Sequence, residues 1–275
     1  MTASAAGQRY WLGDSRPEVD HLLAQAEFLG HDAADLLDRI GVAPGANVID
    51  VGCGVLGILP QLRSRVGDRG RVAGLDIEPR LLAVAGQLSA QHGLAVRTVR
   101  ADAASTGLPS DSFDFVHERM LLLNVTSPQD IVAEMTRLAR PGGVVALQEP
   151  DGAAWATDPP HPAWELLLTE VNDVYPRTGR DFHTGRRAAR LLRDAGLRDV
   201  HVRVLARLTA PAQYFHTFLL TLAVLMREDI LAAGRLTPGQ LDSCTAELGE
   251  HLSQPGTLTC LPTIWQAWGR KPGTS

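Results

Sequence analysis

The chain has 275 residues, 45% hydrophobic and 21% charged, enough for one domain of roughly 200 to 250 residues with a full core. A net charge of −5 offers no basic field to a nucleic-acid backbone, so no nucleic-acid partner is expected. Lys271 is the sole lysine among 26 basic residues, which excludes Schiff-base catalysis and P-loop lysine chemistry.

In chain order, the periodicity of PEVDHLLAQAEFL predicts a first amphipathic helix from residue 17, and a second over 32–40 stops at Gly41. After Pro44-Gly45 short apolar runs alternate with helical ones. Strands are predicted at 48–51, 72–75, 96–100, 113–117 and 144–148, with helices at 56–66, 79–92 and 128–140 between them. This alternation predicts an α/β fold with a parallel sheet covered on both faces. The tail breaks the pattern. Residues 151–178 are rich in proline and aromatics, 184–195 reads as a helix, 200–208 as a strand, 212–233 as one long apolar helix and 257–268 as the last strand.

Cys53, Cys244 and Cys260 are an odd set at no metal-like spacing, so no disulfide framework and no metal site are expected, and the compartment reads as reducing. The first 20 residues have neither a basic nor an apolar leader region, and no later run reaches ~18 uncharged apolar residues. A cytoplasmic protein without a membrane partner is therefore expected.

The stretch VIDVGCGVLG, residues 48–57, runs a strand into a glycine cluster. Gly52-x-Gly54-x-x-Gly57 formally meets the dinucleotide pattern, and Asp76 lies at the end of the next strand, where a ribose-binding acid is expected. Asp50, however, stands two residues before the first glycine and would repel a pyrophosphate seated on the helix N-terminus. A cationic, phosphate-free ligand suits it better. Asp50, Asp76 and Asp102 are equally spaced at 26 residues, as successive β-α units deliver acids to the carboxyl edge of a sheet.

Together VIDVGCG, VAGLDIEPRLL, VRADAASTGLPSDSFDFVHERMLLL and IVAEMTRLARPGGVVALQEPD resemble the class I S-adenosylmethionine-dependent methyltransferases, in particular the small-molecule branch related to menaquinone and ubiquinone methyltransferases. The resemblance implies a Rossmann-like, mostly parallel seven-stranded sheet with helical N-terminal and lid additions. Residues 1–43 would be an N-terminal helical arm or cap and 44–275 the methyltransferase domain, with lid segments at about 151–183 and 211–256. It implies S-adenosylmethionine as cofactor, S-adenosylhomocysteine as product and a small molecule as acceptor. Gly52 and Gly54 would admit the cofactor, with Cys53 between them. Asp50 would hold its amino-acid end, Asp76 its ribose, Ile77 its adenine face, and Asp102 with Ala103 its adenine amine. In the family turn Gly-x-Gly-x-Gly the third glycine position is here Leu56, with Gly57 following, a departure expected to shift the loop.

His117 and Arg119, at the end of the fourth strand, fall where this fold faces cofactor and acceptor; His117 is a candidate base or cofactor-pocket residue and Arg119 a candidate partner of the cofactor carboxylate or of Asp50. Glu149 and Asp151 after the fifth strand could position an acceptor, and His183 is a further candidate base. Tyr10 and Trp11 in the N-terminal arm, and Tyr175, are lid candidates. Tyr214, Phe215 and Phe218 lie in an insertion where such enzymes build an acceptor wall or a homodimer contact. Three other readings stay open: a methyltransferase-fold enzyme catalysing cyclisation or another rearrangement, a nicotinamide-dependent reductase, and a non-catalytic cofactor-binding subunit.

Overall fold

A computed structural model describes residues 16–273, with side chains from residue 19 onward. The elements run α1 (Arg16–Phe28), α2 (Gly30–Ile40), β1 (Asn47–Val51), α3 (Leu59–Val66), β2 (Arg71–Asp76), α4 (Pro79–Gln91), β3 (Val96–Arg100), β4 (Phe113–Arg119), α5 (Pro128–Leu138) and β5 (Ala139–Asp151). They continue through β6 (Ala156–Asp158), α6 (Pro162–Arg177), α7 (Ala188–Asp194), β7 (Arg198–Leu205), β8 (Leu208–Thr209), α8 (Phe218–Leu225), α9 (Arg227–Ala232), α10 (Pro238–Ser253), β9 (Leu258–Cys260) and β10 (Thr263–Arg270). The chain forms two compact units.

The larger unit spans 22–155, 180–207 and 262–273. Its seven-stranded sheet has the order β3-β2-β1-β4-β5-β10-β7, with the first five strands parallel and β10 antiparallel to both neighbours. Alternation along the strands feeds two cores. Val48, Val72, Phe115 and Val144 pack with Leu36 and Leu37 of α2 and Leu59 and Leu62 of α3. Ile49, Leu75, Val116 and Val145 pack with Ile131 and Met135 of α5 and Leu192 of α7. Successive side chains of a strand point to opposite faces, so continuous apolar runs are what a sheet covered on both sides requires.

The smaller unit takes residues 16–21, 156–179 and 208–261. It holds the three-stranded sheet β6-β9-β8 and the helices α6, α8, α9 and α10. Three tail expectations change here. The predicted 212–233 helix divides at Met226, which is fully buried, and Glu228 and Asp229 then fall in the first turn of α9, where acids are favoured. The predicted last strand divides into β9 and β10 around Pro262, which has no N–H for a ladder. The proline-rich stretch contains the 16-residue helix α6, whose buried Ala163, Trp164, Leu167, Val171 and Val174 follow helical spacing behind Pro162 at its first turn.

Candidate functional site

The parallel strands bring the ends of β1, β2, β3, β4 and β5 to one edge of the sheet, and the glycine turn that follows β1 sits there. Gly52 N and Cys53 N donate to Leu75 O at 2.7 and 2.9 Å, tying the turn to β2. Gly52, Gly54 and Gly57 have φ of +72°, +54° and +50°, a region that favours glycine. A Cβ on Gly57 would fall 2.1 Å from Asp50 Oδ2, the oxygen that accepts from Ile58 N at 3.1 Å. The turn therefore closes directly over the Asp50 carboxylate.

Asp50 is 2% exposed, and its Oδ1 lies 2.7 Å from His117 Nδ1. His117 Nε2 is in turn 2.8 Å from Gln148 Oε1. With no exposed surface and both nitrogens engaged, His117 is not placed to take a proton from an acceptor, contrary to its reading as a base. Asp50 has each oxygen bonded within the chain and braces the turn from beneath. Gln148, which completes this buried row, carries no signal in the sequence beyond standing in β5, the strand paired with β4. Cys53 is buried against β2, its sulfur beside Gly74, and burial pushes its thiol well above the usual range.

Asp76 is half-buried. Its Oδ2 accepts from Gly54 N at 2.9 Å and its Oδ1 from Glu78 N at 3.0 Å, so each oxygen keeps a further lone pair. Burial raises its pKa against the backbone bonds that oppose this. Ile77 beside it is exposed, an apolar side chain at the rim of the site. Asp102 is exposed, with Oδ1 accepting from Ala104 N at 2.9 Å, and Ala103 is half-buried.

Glu149, expected to position an acceptor, is also sealed. It has no exposed surface, and its oxygens accept from Leu122 N at 2.7 Å and Leu123 N at 3.1 Å in the turn after β4. Glu118 is equally buried and accepts from Leu121 N at 3.2 Å. Burial and the charge of Glu149 push Glu118 well above the carboxylate range. Burial likewise lifts Glu149 to about 7, against bonds from Glu118 and the backbone N–H groups. These carboxyl groups shape the turn rather than face a substrate.

The end of β5 is different. Asp151 is 2% exposed; Arg186 grips it through Nε at 2.5 Å and Nη2 at 2.6 Å, and Ala153 N donates at 3.0 Å. Burial alone would raise this carboxyl, but the Arg186, Ala153 and His183 bonds outweigh it and hold it at about 2. His183 Nδ1 lies 3.0 Å from Asp151 Oδ1, and the His183 side chain is 37% exposed. Facing an ionised carboxylate, the imidazole presents Nδ1–H, which leaves Nε2 with the lone pair on the open side. Asp151 thus anchors His183 instead of meeting an acceptor itself. Arg187 is paired with Asp181 at 2.5 Å.

In the smaller unit Tyr175 is buried in α6. Tyr214 is exposed, Phe215 buried and Phe218 half-buried, and all three rings gather around His21, with centroids 5.7 to 5.9 Å away. His21 Nδ1 lies 3.2 Å from the Tyr214 hydroxyl. The sequence marks this histidine only as part of an amphipathic helix. Tyr10 and Trp11 lie outside the described residues. Among those residues no helix is long and apolar enough to cross a membrane.

Residues 49–147, the segment from β1 to within β5, match the family model described as a methyltransferase domain. Over that segment, about a third of its length, the chain is similar to a methyltransferase domain. Among similar curated proteins, nocamycin O-methyltransferase of Saccharothrix syringae is 37% identical over 126 residues, 45% of each chain. A demethylmenaquinone methyltransferase of Geobacillus kaustophilus is 29% identical over 182 residues, 62% of this chain and 78% of that one. The chain spans about half the length of the first of these relatives. The fold also matches phosphoethanolamine N-methyltransferase 2 of Haemonchus contortus with TM-score 0.60 and 16% identity, over 98% of this chain and 61% of that one. The [4+2]-cyclase SpnF matches with TM-score 0.50 and 19% identity, over 98% and 89%.

Proposed function

We propose that this protein transfers a methyl group from S-adenosylmethionine to a small, partly apolar acceptor whose nucleophilic atom must shed a proton. The observation that carries this reading is the pairing, at one sheet edge, of the glycine turn and its acids with a single anchored, exposed imidazole. Asp76 offers two lone pairs to the vicinal hydroxyls of a ribose, Ile77 an apolar surface to the adenine, and Asp102 an acceptor for its amine. When bound, the cofactor supplies an electrophilic methyl on a sulfonium. In-line displacement then needs alignment above all.

His183 is the residue we assign to the proton. Its Nε2 accepts the hydrogen of the acceptor's hydroxyl or acidified carbon, and the developing imidazolium is stabilised by Asp151, which Arg186 keeps ionised. Asp151 is a positioning residue in this scheme. The reading favours a quinone-like or natural-product substrate in the cytoplasm.

The test is an acceptor screen with methyl-labelled S-adenosylmethionine and hydroxylated aromatics and quinones, read by mass spectrometry. Labelled product is expected, with His183→Ala lowering kcat by roughly 10²- to 10⁴-fold while S-adenosylhomocysteine affinity stays unchanged. Wild-type protein that binds neither sulfur ligand sinks the proposal. The cyclase neighbour favours one alternative, cyclisation on the same fold; a product formed with no gain of a methyl group would select it.

A further inference from the structure

A cavity of about 290 Å³ lies at the other edge of the larger unit's sheet, where β1, β4 and the parallel part of β5 begin and the antiparallel β10 ends. Its floor is Phe115 and Val144, 2% and 4% exposed, and Ile40 and Val42 ahead of β1 add an apolar wall. Two arginines, Arg140 and Arg270, line it against a single acid, Asp114. That acid is spent: its Oδ1 accepts from Arg140 Nε at 2.5 Å and its Oδ2 from Asn47 N at 2.7 Å. Arg270 donates from Nη1 to Gly142 O at 3.2 Å, and among the described residues no carboxylate lies within 4 Å of it. Its Nε and Nη2 make no hydrogen bond to the described residues, nor does Arg140 Nη2. The cavity thus sets one uncompensated positive charge beside an apolar floor. A guanidinium fork takes a carboxylate through two parallel bonds, and ligand sites typically join such a polar anchor to an apolar surface in about 300 Å³ or more.

We propose that this cavity is a second ligand site, which binds a small apolar carboxylate with its charge on Arg270 and its body on Phe115 and Val144. β1, β4 and β5 run their parallel length between this site and the glycine turn. Open α/β sheets place their reactants at the carboxyl ends of the strands, so a ligand held at the amino ends acts as an effector and not as a reactant. The site stands independently of the methyltransferase reading.

The test is calorimetric titration of the full-length protein with 2-naphthoate and its uncharged counterpart 2-naphthylmethanol, against wild type, Arg270→Gln and Arg270→Lys. The wild type should bind the carboxylate roughly tenfold or more tightly than the alcohol, the range for hydrogen bonds to a charged group. Arg270→Gln should erase that preference, and Arg270→Lys should keep part of it. S-adenosylhomocysteine affinity, measured alongside, should be the same in all three proteins. Equal wild-type affinity for the two naphthyl ligands describes an apolar groove without carboxylate recognition, and no binding of either describes a covered or closed one. Each overturns the proposal, and neither needs a variant to fold. A preference that survives in Arg270→Gln puts the carboxylate elsewhere, the acceptor site included, and overturns it too. Failure of S-adenosylhomocysteine to bind the wild type would remove the methyltransferase reading and leave this site standing.

Discussion

Gly57 shows how much a single hydrogen atom can decide. From the sequence, its displacement by Leu56 from the family's third glycine position is a departure that should shift the loop. In the structure Gly57 is where the turn crosses the Asp50 carboxylate, with φ of +50° and a Cβ position only 2.1 Å from Asp50 Oδ2. Neither partner can give way cheaply, since Asp50 is fixed by His117 and Ile58 N and the opposite approach is blocked by Cys53 O at 3.0 Å. Gly57→Ala should therefore open the turn, lowering S-adenosylhomocysteine affinity by at least tenfold while the far-ultraviolet circular dichroism stays that of the wild type. Retained affinity in calorimetry would show that the loop tolerates displacement and that Gly57 is incidental.

At the scale of elements, three neighbouring strands are linked by one row of side chains, Asp50 on β1, His117 on β4 and Gln148 on β5. Replacing the middle member strands both ends in a dry interior. His117→Leu should cost about 2 to 4 kcal/mol, because two buried polar groups lose partners together. Urea unfolding checks this, alongside cofactor titration: a histidine acting as base would leave stability and binding intact and change turnover alone. The same strand ends show what is legible in the sequence. The acids on β1, β2 and β3 stand out because glycines and equal spacing mark strand termini locally. His117 and Glu149 fall at the expected edge, but whether a strand-end side chain turns inward depends on partners such as Gln148 and on the backbone N–H groups of the turn 121–123, which are distant in sequence. Likewise α6 hides behind its prolines, and the 212–233 helix reads as continuous across Met226 because an all-apolar run carries no phase. Arg186 is visible for its charge, yet its role in fixing Asp151 exists only once β5 and the 184–187 turn are side by side.

Over the whole molecule, the titrating groups pull stability in opposite directions, and their balance predicts a stability curve. Asp151 and Glu134 are held at about 2, Asp151 by the bonds that overcome its burial and Glu134 chiefly by Arg137. A carboxyl depressed in the folded state stabilises above its unfolded pKa, about 4, and loses that contribution as pH falls towards 2. Glu118 and Glu149 act in the other sense. Their folded pKa values are raised, Glu149 to about 7, so their contribution is complete below about 4 and declines as pH climbs through neutrality. Unfolding free energy should then peak near pH 4 to 5 and fall between pH 5 and 7. In that window the folded state keeps a proton on the pair that the unfolded chain has released, worth about 1.4 kcal/mol per pH unit where it is fully retained. Glu118→Gln removes one member of the pair. Urea unfolding at pH 5, 6 and 7, followed by tryptophan fluorescence with Trp155, Trp265 and Trp268 all in the larger unit, should show a shallower decline for the variant by about one proton's slope. Parallel curves would mean that Glu118 is already ionised in the folded protein, and the buried pair would have to be held by a cation instead.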